Sequence, residues 1–471
     1  LQHHIVQGNL AASDLTDGQE LQAISGQTLQ VERIDEELRV GGAVVSEADI
    51  GADNGVIHGI DDVLRSNLNT GDRLSLTPIV QDFVDLVSDS GRLPDLADEG
   101  GVTVFAPINN AFDLLGAPTV DLLTRGINQD VQDRVVDFHI VSGIYPLEAL
   151  EEPLSLENLD GSTLTVVNEN GVITVDGYRV LSEGVQTSNG LIYLLDNINL
   201  NYLNIEQRLR ISPTLTTYAT EIRDRPSLRA LLEGAEEHTL FAAVNLAFLS
   251  LDPDVIDALN NPENSALFDR IIQVHIVEGT YSTSDLYDGL VLTSIDGSEL
   301  TVRVTGDQFF IKNGQIAIAD IPVENGAFHI IDNLIFPEVD LVDRTLLSGH
   351  TDHVDALMRT GLDGVFREST SRTLFAFPNE VYSANPGLLS HPQLDQIILY
   401  HAAVEDIGQL FHGLVFESME GTLRTVTQDP QDAAIFRLDG ITPIVPVATA
   451  SNGRLLVAEG FMLPPELRHQ P

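Results

Sequence analysis

Histidine is the side chain whose charge changes nearest neutral pH, and it is a common general base and metal ligand. In this 471-residue chain it recurs in a fixed phrase. His4 opens H-I-V-Q-G, His139 H-I-V-S-G, His275 H-I-V-E-G and His401 the looser H-A-A-V-E, at intervals of 135, 136 and 126 residues. An Asn-Gly pair keeps a similar rhythm at Asn54, Asn189, Asn325 and Asn452. Seven residues after each Asn stands an acid: Asp61, Asp196, Asp332 and Glu459. Imidazole, amide and carboxylate are ingredients of proton transfer. Yet each histidine follows core-like residues, and a buried histidine tying a helix end to a sheet by hydrogen bonds explains that placement better than catalysis. The Asn-Gly pair reads as turn geometry, and the acid as a hydrogen-bonded strand end.

Other chemistry is sparser. His350-Thr351-Asp352-His353 is the densest metal-like cluster, but it occurs in one unit and lacks a second, partnered group. Acidic turns such as Asp252-Pro253-Asp254 and Asn168-Glu169-Asn170 suit weak Ca2+ binding, without the twelve-residue loop of an EF-hand. No G-x-S-x-G, no Walker glycine loop after a strand and no H-E-x-x-H occurs. No catalytic, cofactor-binding or metal residue is therefore assigned, and no cofactor is expected beyond weak Ca2+.

The elements that must position the histidine read most clearly between Leu74 and Leu200. Thr77-Pro78 resembles an N-cap with proline in the first turn. Ile79, Val80, Phe83, Leu86 and Val87 then recur at helical spacing as one buried face, closed by Asp89-Ser90-Gly91. Residues 102–106 form a short β-rich run stopped by Pro107, and Asn109 is placed to cap the turn carrying Ala111, Phe112, Leu114 and Leu115. A further helix, near residues 128–141, delivers His139. Next, residues 164–167 and 172–175 flank Asn170-Gly171, a hairpin signature. Residues 191–195 are apolar on both faces, as in a central strand. Helices come first and strands second, so the class is α+β.

The phrase T-[VL]-F-A-x-x-N occurs at Thr103, Thr239 and Thr373 only. A period near 135 matches one ordinary globular domain, not a short solenoid repeat. The organisation is half a unit at 1–64, lacking the first half, then units at 65–202, 203–338 and 339–471. The joins, such as Arg65 to Arg73 and Pro337 to Asp340, are short and not Gly/Ser-rich. With 43% hydrophobic residues each unit can bury a core. No apolar run reaches the roughly 18 residues of a membrane-spanning helix, and the absence of cysteine removes disulfide and thiol chemistry. Seventy-one acids against 24 bases give a net charge of −47. That excludes general nucleic-acid binding and disfavours anionic membrane surfaces. The acids are dispersed, as on a solubilising surface or one adapted to a salty medium, where ions screen repulsion over about 8 Å or less.

These phrases resemble the fasciclin (FAS1) domain family. Residues 103–112, T-V-F-A-P-I-N-N-A-F, resemble its first box; residues 54–64, N-G-V-I-H-G-I-D-D-V-L, and 325–332 resemble its second. Departures are Ala243 for the usual proline, Tyr193 for the second-box histidine, and a degenerate second box at 452–459. The resemblance implies tandem domains, each a helical layer on a β-sandwich or wedge, in a secreted or cell-surface protein of adhesion and matrix assembly. The implied partners are other FAS1 domains or copies of itself, and cell-surface glycans. A filament protomer is one variant, because a half unit exposes strand edges and core surface. A glycan- or small-ligand-binding module at domain clefts is the alternative. The Tyr-His pair tied to integrin adhesion in animal members is reproduced only at Tyr400-His401, so integrin binding is not carried over.

Overall fold

The computed structural model describes residues 2–34, 37–64, 68–97, 100–150, 153–182, 184–368 and 370–468. Arg65, at the expected join after the half unit, lies outside the described residues. The chain forms two compact units, one of residues 1–203 with 210–213, the other of 204–209 with 214–471.

The first opens with two 3-10 turns, Gln2–His4 and Ala12–Asp14, followed by strands. β1 (Glu20–Gln22), β2 (Thr28–Ile34), β3 (Glu37–Val40), β4 (Ala43–Ala52) and β5 (Gly55–Ile60) run antiparallel in chain order. Period-2 alternation buries Leu21, Leu29, Val31, Leu38 and Ala43 in a small core with Leu15 and Leu64.

The complete plan follows. Helices α1 (Thr70–Ser75), α2 (Gln81–Asp89), α3 (Asn109–Leu115), α4 (Ala117–Leu123) and α5 (Gln129–Phe138) surround β6 (Val102–Pro107). Then come β7 (Ile140–Ser142), β8 (Leu154–Glu157), β9 (Thr163–Glu169), β10 (Val172–Val175), β11 (Tyr178–Arg179), β12 (Val185–Gln186) and β13 (Gly190–Leu195). They make two sheets, β12-β13-β6-β7 and β11-β10-β9-β8. Alternation along β6 divides the core. Val104 and Ala106 join Phe83, Val87, Val135 and Phe138 under the helices, whereas Phe105 joins Leu156, Leu164, Val166 and Tyr193 between the sheets. Asn170 and Gly171 take φ of 55° and 84° at the β9–β10 turn, the primed-hairpin geometry.

Two local expectations change. Pro78–Val80 is a 3-10 turn before α2, and Ile79 is half exposed while Val80, Phe83, Leu86 and Val87 are buried. Proline breaks the helical phase there, so Ile79 falls off the apolar stripe. Asn109 does not cap its own helix, whose N-cap is Ile108. Its Oδ1 instead accepts the Asp82 N–H of α2 at 3.2 Å, and its Nδ2 donates to Pro78 O. Asn245 and Asn379 accept the Thr217 and Asp352 N–H groups in the same way.

The second compact unit contains the plan twice, with seven strands in each sheet. In each, the strand carrying the Thr-x-Phe-Ala phrase (His238–Ala243, Arg372–Ala376) lies parallel to the Asn-Gly strand (Gly326–Ile331, Gly453–Ala458), as β6 does to β13. The two copies touch through helix Pro253–Leu259, packed on helices Leu341–Leu347 and Thr351–Thr360. Asn379 Nδ2 donates to Asp254 across that contact at 2.9 Å.

Candidate functional site

His139 and His401 are the C-caps of apolar helices and His275 follows one just past its C-cap, whereas His4 ends a short 3-10 turn; each bonds within its own copy of the plan. His139 Nε2 accepts the Asn199 N–H at 3.1 Å, and His275 Nε2 that of Ile335 at 3.0 Å. His401 takes Met462 at 3.2 Å and His4 takes Leu64 at 3.0 Å. A backbone N–H can only donate, so the ring proton sits on Nδ1. That proton is given to the carbonyl four residues back, Val135, Ile271 or Ile397, at 2.7, 2.7 and 2.8 Å. The imidazole thus links a helix's last turn to the chain leaving the Asn-Gly strand. Burial lowers the pKa of His139 and His275 to about 4, and of His401 to about 3, against the opposing backbone hydrogen bond. These rings are neutral at physiological pH and both nitrogens are occupied, so they are poor bases and poor ligands.

The asparagines do more than turn the chain. Asn189 Oδ1 accepts the Thr70 N–H at 2.8 Å, while Nδ2 donates to Leu96 O at 2.9 Å. Asn325 and Asn452 repeat this with Ile205 and Leu341 as donors, and Leu232 and Phe366 as acceptors. Each is a buried clamp between two helix ends, whereas Asn54 stands exposed at the equivalent turn. The sequence signal for this was the helical half before each such Asn, which 1–64 lacks. The acids close the far end of the strand. Asp61, Asp196 and Asp332 accept the N–H of Val44, Arg179 and Gln315. At the fourth position Pro443 has no N–H to give, and there the acid is Glu459, bonded to Pro443 only through its own backbone.

A second set of side chains tethers the loop after the histidine phrase. His58 and His329 donate from Nε2 to Leu10 O and Tyr281 O at 2.9 and 2.8 Å, and Tyr193 does the same with its hydroxyl to Tyr145 O. Their Nδ1 accepts the N–H of Asp49 and Asp320, so their tautomer is opposite to that of the repeated set. Tyr193 thereby preserves the bond that the second-box histidine makes.

The metal-like cluster is dismantled. His353 is fully buried, and its Nδ1 accepts from Phe377 N–H at 3.2 Å and Tyr382 hydroxyl at 2.8 Å. Among the described residues no group of three or more His, Cys, Asp or Glu side chains is arranged to hold a metal. Tyr400-His401 is also internal, 2% and 0% exposed. Sequence reasoning missed its partner, Arg424, fully buried where Leu29, Leu164 and Leu300 stand in the other copies. Its guanidinium lies 3.7 Å from the Tyr400 ring centroid, donates to Tyr400 O and pairs with Asp439 at 2.7 Å. An arginine three residues after the repeated Gly421 was the available signal.

A fasciclin-domain family model matches residues 1–66, 78–200 and 213–337. The chain belongs to the fasciclin family. Among its relatives, transforming growth factor-beta-induced protein ig-h3 of Sus scrofa is 27% identical over 342 residues, 70% of this chain and 48% of that protein. Human periostin is 26% identical over 372 residues, 74% of this chain and 42% of periostin. Immunogenic protein MPB70 of Mycobacterium bovis is 31% identical over 108 residues, 23% of this chain and 53% of MPB70. The fasciclin chain thus spans about half the length of the two animal proteins. Fasciclin domains are extracellular adhesion modules, and this chain is extracellular or at the cell surface.

Proposed function

We propose that this fasciclin array is a non-enzymatic adhesion or matrix component that works through the outer faces of whole domains. One observation carries the reading. In the three complete copies the recurring histidine and asparagine side chains are consumed in internal hydrogen bonds, and the buried histidines are neutral, so the repeated motif is scaffold. Binding then falls to surfaces that differ between copies, and tandem weak contacts add through effective concentration. Other fasciclin domains, copies of this chain and cell-surface glycans are the partner classes. Weak Ca2+ at the acidic surface and adaptation to salt belong to the same proposal.

Beads coated with the full chain, mixed in pairs and with soluble competitor, test it. Saturable clustering that soluble chain suppresses is expected, unchanged by alanine at His350. Dispersed beads in high and low salt, with and without Ca2+, together with selective glycan-array binding, would instead favour the cleft-binding alternative.

A further inference from the structure

The copy at 203–338 builds a side-chain cluster that its siblings lack. Helices Thr216–Arg223, Pro226–Glu233, Pro253–Leu259 and Ser265–Gln273 border a cleft of about 460 Å3. That lies inside the roughly 300–1,000 Å3 usual for small-ligand sites. One wall is Arg225, its side chain only 15% exposed. Nε donates to Asp269 at 2.5 Å, and Nη1 to the Glu221 carbonyl and carboxylate at 2.9 and 2.7 Å. The guanidinium carbon stands 4.6 Å from the Phe268 ring centroid. Nη2 keeps solvent access and has no hydrogen-bond partner among the described residues. Ser227, Asn260, Ser265 and Gln273 also line the cleft, and among the described residues their side chains make no hydrogen bond. Counting from the residue capped by the first-box asparagine and from the repeated histidine gives the sibling residues. Glu221, Arg225 and Phe268 correspond to Leu86, Ser90 and Gln132 in the copy before, and to Ala356, Thr360 and Leu394 in the copy after. Stability does not explain the exchange. The siblings bury Leu86 and Ala356 where this copy holds a carboxylate, and an ion pair gains little over apolar packing.

Charge selects the ligand class. The carboxylates lining the cleft are Glu221, Asp224 and Asp269. Glu221 and Asp269 are paired with Arg225, and Asp224 with Arg223 at 3.2 Å. A cationic ligand finds these carboxylates taken, and an anionic one meets the field of a chain of net charge −47. A hydroxyl group suits the wall, because it donates to a carboxylate oxygen while accepting from a guanidinium N–H. Neighbouring hydroxyls on one ring match the alternation of Arg225 with its two carboxylates. Pro226, Leu228, Pro262 and Phe268 supply carbon surface for the C–H faces of that ring. We propose that this cleft binds a neutral oligosaccharide, held by Arg225 Nη2, the Asp269 carboxylate and the amides of Asn260 and Gln273. The proposal rests on the adhesion reading, to which it gives one copy-specific face and one ligand class.

The test presents the full chain to an array of neutral, uronic-acid and sulfated oligosaccharides, with an arginine-rich peptide alongside. Calorimetric titration then follows with the neutral trisaccharide that is retained best. Neutral sugar alone should bind, saturably and at one site per chain. Asn260→Ala combined with Gln273→Ala removes two amides that make no internal bond, and should weaken binding at least about tenfold. Ser265→Trp, which fills the cleft from an exposed position, should abolish it, as should Arg225→Ser, which installs the residue of the preceding copy. Unchanged melting temperatures for the double-amide and Ser265→Trp variants separate lost binding from lost fold. No retention, retention of charged sugars or of the peptide alone, or neutral-sugar binding that both of these variants leave intact overturns the proposal. Clustering of chain-coated beads is read in parallel. Beads that still cluster after such a failure keep the adhesion reading, whereas dispersed beads with sugar bound sink that reading and leave the site standing.

Discussion

Replacing His139 by Phe probes whether the repeated histidine is a neutral strut. At pH 7.5 the substitution leaves the Asn199 N–H and the Val135 carbonyl without their partners. Two buried unsatisfied groups cost about 2–4 kcal/mol. The pH dependence has a definite sign. Burial holds the folded-state pKa at about 4 against an ordinary 6.5. Below 6.5 the unfolded chain binds a proton that the folded chain refuses until about pH 4, so acid favours unfolding through that window. By pH 5 the wild-type unit has lost about 2 kcal/mol on this account. The variant has no such loss, so the stability gap should shrink by that amount between pH 7.5 and 5. Hydrogen-exchange mass spectrometry of segments 129–142 and 190–203, corrected for intrinsic rates, reads the opening free energy of this unit apart from its neighbours. A gap of equal size at both pH values would refute the neutral-imidazole argument. A variant as stable as wild type at pH 7.5 would refute the strut itself.

Gly190→Ala should cost more than about 3 kcal/mol, because its Cβ would sit 2.1 Å from Val102 O, while Gly55→Ala should leave thermal unfolding unchanged. Arg424→Leu, which installs the leucine of the other copies, should be neutral or stabilising by about 1–2 kcal/mol in urea unfolding, and Arg424→Ala strongly destabilising; equal losses would contradict this. His353→Phe should destabilise by about 2 kcal/mol by stranding the Phe377 N–H and Tyr382 hydroxyl, and adding Tyr382→Phe should recover about 1 kcal/mol; strictly additive losses would show that the hydroxyl bond contributes nothing. With a net charge of −47, raising NaCl from about 0.05 to about 1 M, where the screening length falls to about 3 Å, should raise the melting temperature; a flat or falling curve would remove self-repulsion as a factor.

The sequence carried the repeat, the α+β order and the internal role of His139, His275 and His401, because those follow from periodicity and from what precedes each residue. It was blind where one element acts on another. Asn109 lies at the start of α3 and looks like that helix's cap, yet its amide serves α2, a partner 27 residues earlier. Asn189 sits in a turn and reads as turn chemistry, but its side chain reaches Thr70 and Leu96. Gly190 answers to a neighbouring carbonyl rather than to its own φ. Ile79 failed for a local reason, proline shifting the helical phase. Arg424 failed for the opposite one: a charged residue in a strand reads as surface, and only Tyr400 and Asp439, brought in by the fold, make its burial tolerable.

The differences between copies also obey a rule. Counting from the residue capped by the first-box asparagine, Phe83, Tyr218 and His353 occupy one place in the helical core. Against His353 stand the Phe377 N–H and the Tyr382 hydroxyl, two donors to one acceptor. Against Phe83 stand Pro107 and Phe112, neither of which has a proton to give. Donors and acceptor change together at this place, although the match is partial, since the ring proton left on His353 Nε2 is buried without a partner. The same logic joins Pro443 to Glu459 and Arg424 to Tyr400. Interior changes between copies thus come largely in matched sets, whereas the exposed faces, free of that constraint, are where copies can acquire different partners.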